Sequence, residues 1–322
     1  MTLLLTGCAG FIGARVGEML LARGDTVVGV DNLNDYYDVR LKQHRLSALT
    51  AMPGFEFHAI DIEERAALEK LFAAHRFDAV INLAARAGVR ASIESPEIYL
   101  TTNTLGTLNL LQLMTAHGVS RFVMASTSSL YAGAKMPFVE TADVTRPISP
   151  YAATKLAAEA LAQTWHHLQG INVAILRYFT VYGPAGRPDM SPFRFIEWIR
   201  RGQPIQLYGD GSQTRDFTYI DDIARGTVAA LGLDGCEVIN LGGGNTPISI
   251  NAMISLMEEA LGKKGIIEHL PQNRADMQDT SAEIAKAGEL LGWQPEVAPR
   301  AGLWRAVEWH KRNARWLNDV KL

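Results

Sequence analysis

Cysteine is scarce in this chain of 322 residues, which has only Cys8 and Cys236. Two thiols cannot build a disulfide framework or a cysteine-based metal cluster, and they suit a reducing compartment. Charge of one sign is lacking too: 31 lysines and arginines face 34 aspartates and glutamates, for a net charge of −3. No basic run exceeds a pair such as Arg200–Arg201, so nucleic acid is not an expected partner. No stretch approaches the roughly 20 apolar residues of a membrane helix. The opening "MTLLLTG" has neither the basic region nor the apolar region of a signal peptide. A cytoplasmic protein without a membrane partner is expected. The 8 histidines show no ligand spacing, and no metal site is expected.

What the chain does have is alternation. Short apolar runs, "TLLLT", "TVVGVD", "FEFHAID", "AVINLA", "RFVMAS" and "NVAILRY", are separated by helical patterns starting near Phe11, Val39, Glu64, Ser95 and Ser149. The runs do not alternate with polar residues, as expected of strands buried on both faces of a parallel sheet. Strand–helix alternation predicts an α/β fold, a Rossmann-type doubly wound parallel sheet over residues 1–180. Ser95-Pro96 and Ser149-Pro150 each offer a capping serine with proline at the first helical position. Beyond residue 180, Gly and Pro become frequent and elements shorter. We expect a smaller C-terminal α+β substrate domain from 181–214 and 244–322, with segments near 215–243 returning to the first domain.

"LLLTGCAGFIG" places Gly7, Gly10 and Gly13 directly after the first strand and at the start of a helix. Glycines there permit a tight turn, close backbone approach to a pyrophosphate, and close helix–sheet packing. The helix N-terminus, at Phe11 and Ile12, adds N–H groups and a positive dipole end. Asp31 ends the second strand, where a carboxylate accepts both ribose hydroxyls and repels a 2′-phosphate, which favours NAD over NADP. Its plainer reading is a strand-end turn former. Asp61-Ile62, ending the third strand, would flank the adenine, and Asn32 is a further cofactor-binding candidate. In "SPYAATKLAAE", Tyr151 and Lys155 share a helix face one turn apart. Taken alone, that spacing fits an idle surface pair as well as a tuned acid and base.

In order along nearly the whole chain, "TGCAGFIG", "NLAA", "STSSLY", "PYAATK", "RYFTVYGP" and "RDFTYIDD" resemble the extended short-chain dehydrogenase/reductases. The resemblance implies that Tyr151 exchanges a proton with a substrate hydroxyl. It also implies that Lys155 holds the nicotinamide ribose and, with the cofactor's positive ring, lowers the phenol's pKa. Thr127 takes the position of the third catalytic hydroxyl, and Asn103 that of the asparagine which supports the tyrosine–lysine geometry. Asn82, Leu83, Ala84, Ala85 and Tyr178 would border the cofactor. Members usually form homodimers through the helices that follow Ser95 and Ser149.

Dehydratases and decarboxylases of this family resemble one another in carrying acidic residues after the catalytic threonine. Here Ser128 and Ser129 fill those slots, which favours epimerisation over elimination. "VDNLNDYYDVRLKQHRL" and "TVYGPAGRPDM" are similar to the UDP-glucuronate 4-epimerases, so a UDP-hexuronate is the expected substrate. Ser128, Ser129 and Thr180 would donate to its carboxylate. The alternatives are a UDP-glucose-type epimerase or a decarboxylase on the same scaffold and, from another class, a non-catalytic NAD-sensing protein.

At the nucleotide end, Arg215, Arg187 and Arg90 are the substrate-binding candidates, since a guanidinium bridges phosphate oxygens. Asp276 is expected at the ribose. Asn273 stands where the family usually has arginine, with Arg274 beside it, and which residue meets the phosphate stays open. Arg86 either favours an anionic substrate or faces solvent.

Overall fold

The computed structural model describes residues 1–244, 247–271 and 277–322. The elements run β1 Thr2–Thr6, α1 Phe11–Ala22, β2 Thr26–Val30, α2 Val39–Thr50, β3 Phe55–His58, α3 Arg65–Ala74 and β4 Ala79–Asn82. Next come α4 Val89–Glu94, α5 Pro96–Tyr99, α6 Gly106–His117, β5 Arg121–Thr127, α7 Pro150–Gln169 and β6 Asn172–Tyr178. The second half holds β7 Thr180–Tyr182, α8 Ser191–Arg201, β8 Pro204–Tyr208, β9 Thr214–Arg215, β10 Phe217–Tyr219 and α9 Ile220–Ala229. It ends with β11 Cys236–Leu241, β12 Ile248–Ser249, α10 Ile250–Leu261, β13 Ile266–Leu270, α11 Ala285–Leu291, α12 Pro299–Arg312 and α13 Ala314–Leu317.

The main sheet has 7 strands in the order β11-β6-β5-β4-β1-β2-β3. Every pairing in it is parallel. Strand order reverses between β1 and β4, which opens the crevice where such folds bind nucleotides. Leu3 and Leu5 pack with Val16, Leu20 and Ile223 on one face, while Leu4 packs with Leu68, Leu110 and Ala158 on the other. Burial on both faces explains why β1 is an unbroken apolar run.

Three expected boundaries shift. β3 pairs only to His58, because Ile60 N–H turns back to the His58 carbonyl at 3.0 Å. β4 stops at Asn82, two residues short of Ala84, and releases Leu83 and Ala84 into the loop. Ser95 starts no long helix. α4 already precedes it, its side chain makes no cap bond, and the four-residue α5 runs into a π-helical turn over Leu100–Leu105 before α6 begins. Ser149 does cap α7, its Oγ accepting from Ala152 N–H at 3.2 Å, with Pro150 at the first helical position.

The second half builds its own apolar core from Phe195, Ile196, Ile199, Met253, Met257, Leu303 and Val307. The paired strands β7–β10, β8–β13 and β9–β12 lie around it. α9 packs on α1, and β11 joins the main sheet beside β6.

Candidate active site

The glycine turn is held by backbone bonds: Gly7 N–H donates to Val30 C=O at 2.7 Å and Gly10 N–H to Gly7 C=O at 2.9 Å. Gly7 sits at φ +68, and a Cβ there would lie 2.7 Å from Ala84 N. A Cβ at Gly13 would lie 2.1 Å from the Gly7 carbonyl oxygen. The N-cap of α1, Gly10, has no side-chain cap, and the first turn carries no carboxylate. The leading N–H groups therefore remain available for an anion. Thr6 Oγ1 donates to Asn82 Oδ1 at 2.7 Å and accepts from Ala84 N–H at 3.1 Å, which clamps the loops after β1 and β4 together. A glycine cradle that side chains would fill, at the switch point of the sheet, fits a dinucleotide.

Asp31 lies one residue past β2. Its carboxylate accepts from Ala9 N–H at 3.2 Å and from Leu33 N–H at 2.9 Å, with the Lys42 ammonium 3.8 Å away. Asp31 thus forms the strand-end turn beside the glycine loop. Asn32 donates its side-chain amide to Asp61. Ile62 is a core side chain packed against Gly106, and its carbonyl accepts from Asn109 at 3.0 Å. Phe11 and Tyr178 are also core rings, and the Tyr178 hydroxyl is hydrogen-bonded to Thr227 at 2.7 Å. Leu83 and Ala84 are half-buried and Ala85 is exposed.

Thr127 ends β5, paired with Tyr178. Its Oγ1 accepts from Ser129 N–H at 3.1 Å, and its hydroxyl faces the Tyr151 phenol. Burial raises the phenol's pKa, while the Thr127 hydroxyl and the charge of Arg187 pull it down. Lys155 is buried one turn along α7, and that burial pushes its ammonium down to about 8 against the opposing pull of Glu159. Asn103, inside the π-helical turn, accepts from Arg86 N–H at 2.8 Å. It donates to Arg86 C=O at 3.0 Å and to Thr154 Oγ1 at 3.1 Å. It thus ties the loop after β4 to the residue beside Lys155, which gives the wide turn a local purpose.

Ser128 is buried and Ser129 half-buried in the short helical turn after Thr127, and Thr180 opens β7 half-buried. Arg187 forms a two-pronged pair with Asp189, at 2.6 and 3.0 Å, and lies 5.7 Å from the Tyr36 ring centre. Arg90 stacks on Tyr208 at 3.9 Å. Arg215 donates to the carbonyls of Thr214 and Gln278 at 2.7 and 3.1 Å. Arg86 is half-buried, 6.0 Å from the Tyr36 ring centre, rather than solvent-facing. Asp276, Asn273 and Arg274 lie outside the described residues.

Sequence reasoning missed three features. The Tyr99 hydroxyl donates to the Ala87 carbonyl at 3.2 Å and faces the Tyr36 hydroxyl, and the Tyr99 ring meets Tyr151 edge-on at 6.2 Å. The only sequence signal was the tyrosine pair in "DNLNDYYD". A buried pair, Glu159 on α7 with Arg177 on β6, joins that helix to the sheet. Glu56 and His58 on the outer strand β3 meet His75 at the end of α3 with donor atoms within 4.8 Å, a grouping that their separations of 2 and 17 positions concealed. Glu56 already accepts from His58 at 2.6 Å.

Residues 3–242 match the profile of the NAD dependent epimerase/dehydratase family. A UDP-glucuronate 4-epimerase of Thermodesulfobacterium geofontis is 56% identical over 319 residues, covering 99% of both chains. The crystal structure of UDP-glucuronic acid 4-epimerase from Bacillus cereus, in complex with UDP-glucuronic acid and NAD, superposes with a TM-score of 0.92. It is 38% identical, over 97% of this chain and 100% of that one. A variant of the B. cereus enzyme with one tyrosine replaced by phenylalanine was solved with a 4-fluoro analogue of UDP-glucuronic acid and NAD. It gives a TM-score of 0.91 at 38% identity, with 97% and 100% covered. With its glycine cradle, its Thr127–Tyr151–Lys155 constellation and these matches along the whole chain, the protein belongs to the NAD-dependent epimerase/dehydratase family.

Proposed function

We propose that this enzyme is a UDP-glucuronate 4-epimerase that interconverts UDP-glucuronate and UDP-galacturonate in the cytoplasm. The observation that carries the reading is the hydroxyl run Thr127-Ser128-Ser129 beside the Tyr151 phenol, in slots where an eliminating or decarboxylating enzyme would need a carboxyl group. NAD, held by the Gly7–Gly13 loop, Asp31 and Lys155, accepts a hydride from the sugar and returns it to the other face when bound. Tyr151 takes the proton of the 4-hydroxyl and later gives it back, and Thr127 holds the same oxygen. Lys155 binds the nicotinamide ribose and contributes positive charge beside the phenol.

The transient 4-keto sugar is a β-keto acid, prone to losing CO2. Ser128, Ser129 and Thr180 hold its carboxylate with the breaking bond turned away from the ketone, so no enolate forms. Arg215, Arg187 and Arg90 take the diphosphate, and Asp276 the uridine ribose. We assign residues 1–180, with the returning segment near 215–243, to the cofactor, and 181–214 with 244–322 to the sugar nucleotide. The assembly we propose is a homodimer.

An NMR time course with UDP-glucuronate and no added NAD tests the reading. The expected result is growth of UDP-galacturonate without CO2, driven by cofactor retained through purification. Appearance of a UDP-pentose with CO2 would make the enzyme a decarboxylase. No reaction with UDP-glucuronate but turnover of UDP-glucose would keep the mechanism and move the substrate. No turnover of either sugar would leave an NAD-binding protein without catalysis.

A further inference from the structure

Glu159 is a carboxylate in the core, and nothing in the acid/base chemistry itself requires it. It lies on α7 one turn beyond Lys155, which lies one turn beyond Tyr151, so the three occupy one face at i, i+4 and i+8. It is 2% exposed. Arg177 on β6 grips it with two bonds, Nε to Oε1 at 3.0 Å and a terminal nitrogen to Oε2 at 2.7 Å. Ser126, the residue before Thr127 on β5, donates its hydroxyl to the same carboxylate. Arg177 continues outward, donating to the Tyr131 hydroxyl at 2.9 Å and the Glu140 carbonyl at 3.3 Å. Tyr131 in turn donates to Asn240 Oδ1 at 2.7 Å. A buried carboxylate is costly unless fully paired, and this one is paired on both oxygens to two different strands.

We propose that Glu159 is a positioning residue: it anchors the α7 face that carries Tyr151 and Lys155 to the strand that ends in Thr127, and supplies the negative charge that faces the Lys155 ammonium. The proposal rests on the reading of Tyr151 and Lys155 as the acid/base pair. The geometric part follows from Ser126. One bond from Glu159 to the residue next to Thr127 fixes the separation of helix and strand across which the Thr127 hydroxyl faces the Tyr151 phenol. The electrostatic part follows from burial, which favours neutral Lys155, whereas Glu159 favours its charged form. The other ionisable groups facing the pair are Arg187 from the loop after β7, Tyr36 from the loop after β2 and Tyr99 from α5. Arg177 faces Glu159 from the opposite side.

The test compares Glu159→Gln, Glu159→Asp and Ser126→Ala as full-length proteins whose retained NAD has been measured. Glu159→Gln should lower kcat by about tenfold or more with KM nearly unchanged, the pattern of lost positioning rather than lost binding. Its alkaline limb of kcat should move down by roughly one pH unit, because Lys155 loses its proton earlier. Glu159→Asp keeps the charge and should restore the limb. Ser126→Ala leaves the ion pair in place and should lower kcat without moving the limb. If Glu159→Gln melts earlier but keeps the kcat and pH profile of the parent, the pair is only a structural staple and the proposal fails. If Glu159→Gln does not fold, an unchanged kcat in Ser126→Ala overturns it. Tyr151→Phe, run in parallel, separates the two readings: parental turnover there would sink the acid/base assignment itself, whatever Glu159 does.

Discussion

At the scale of single residues, the glycine loop shows how little room the cradle has. Gly13 is the first-turn residue of α1 that packs against the Gly7 carbonyl, and an added Cβ would sit 2.1 Å from that oxygen, a separation that real atoms do not tolerate. Gly13→Ala must therefore push α1 away from the loop that presents its N–H groups. Its φ is compatible with alanine, so the damage is steric and local rather than a matter of backbone preference. The expected outcome is a protein that folds but loses most of its NAD on purification, measured by releasing the nucleotide with acid and quantifying it. A variant with full cofactor content would mean that the loop adjusts and that the cradle is not the grip. Gly10→Ala is the informative contrast, because a Cβ there meets the Gly7 carbonyl oxygen at a milder 3.0 Å.

At the scale of elements, the joint between α8 and α12 is built on another buried carboxylate. Glu197 accepts from Arg200 at 2.7 and 3.0 Å and from Arg201 at 2.8 Å on its own helix, and its Oε1 lies 2.8 Å from His310 Nδ1 on α12. Burial would raise this carboxyl, but the bonds from His310 and Arg200 hold it down at about 2. An unfolded glutamate titrates near about 4.3, so the folded form binds the proton less readily. The stability this contributes is present above about pH 4.3 and lost as pH falls toward 2, on the order of 3 kcal/mol in all. Burial holds His310 below its ordinary value, despite Glu197 pulling the other way, so the histidine also loses its contribution as pH falls. Glu197→Gln should cost about 3–5 kcal/mol at neutral pH, because two arginines then face an amide. Urea unfolding at pH 7 and near pH 3 checks this, and the gap between variant and parent should close at the acidic end. Neither buried pair was legible beforehand, since Glu159 with Arg177 and Glu197 with His310 are 18 and 113 positions apart and only the fold joins them. The sheet was legible, because a strand buried on both faces must be an apolar run, and "NVAILRY" marks β6 end to end. The break at α4, α5 and the π-helical turn was not, since Ser95-Pro96 is a sound local start signal that carries no record of what Asn103 must reach.

At the scale of the whole molecule, the exposed apolar side chains are unevenly spread. Ile93, Ile98, Leu100 and Leu105 stand out from α4, α5 and the π-helical turn, with Leu100 56% exposed. α6 and α7 pack against each other beside them, and α7 offers the exposed small residues Ala153 and Ala160 and, at its end, Leu168. Scattered surface leucines need no explanation, but a set confined to neighbouring helices does. Two copies meeting through these helices would bury the set in a four-helix arrangement with two-fold symmetry, in which the same patch of each copy meets its counterpart. The same π-helical turn carries Asn103, which bonds the residue beside Lys155, so the contact would brace α7 from outside. Leu100→Glu with Leu105→Glu would bury unpaired carboxylates of one sign in such an interface. Light scattering after gel filtration should show a dimer for the parent and a monomer for the double variant. The monomer should also turn over UDP-glucuronate more slowly, since its π-helical turn has lost its backing. A parent that runs as a monomer at micromolar concentration would remove the four-helix contact. A dimer that survives both glutamates would put the interface elsewhere on the surface.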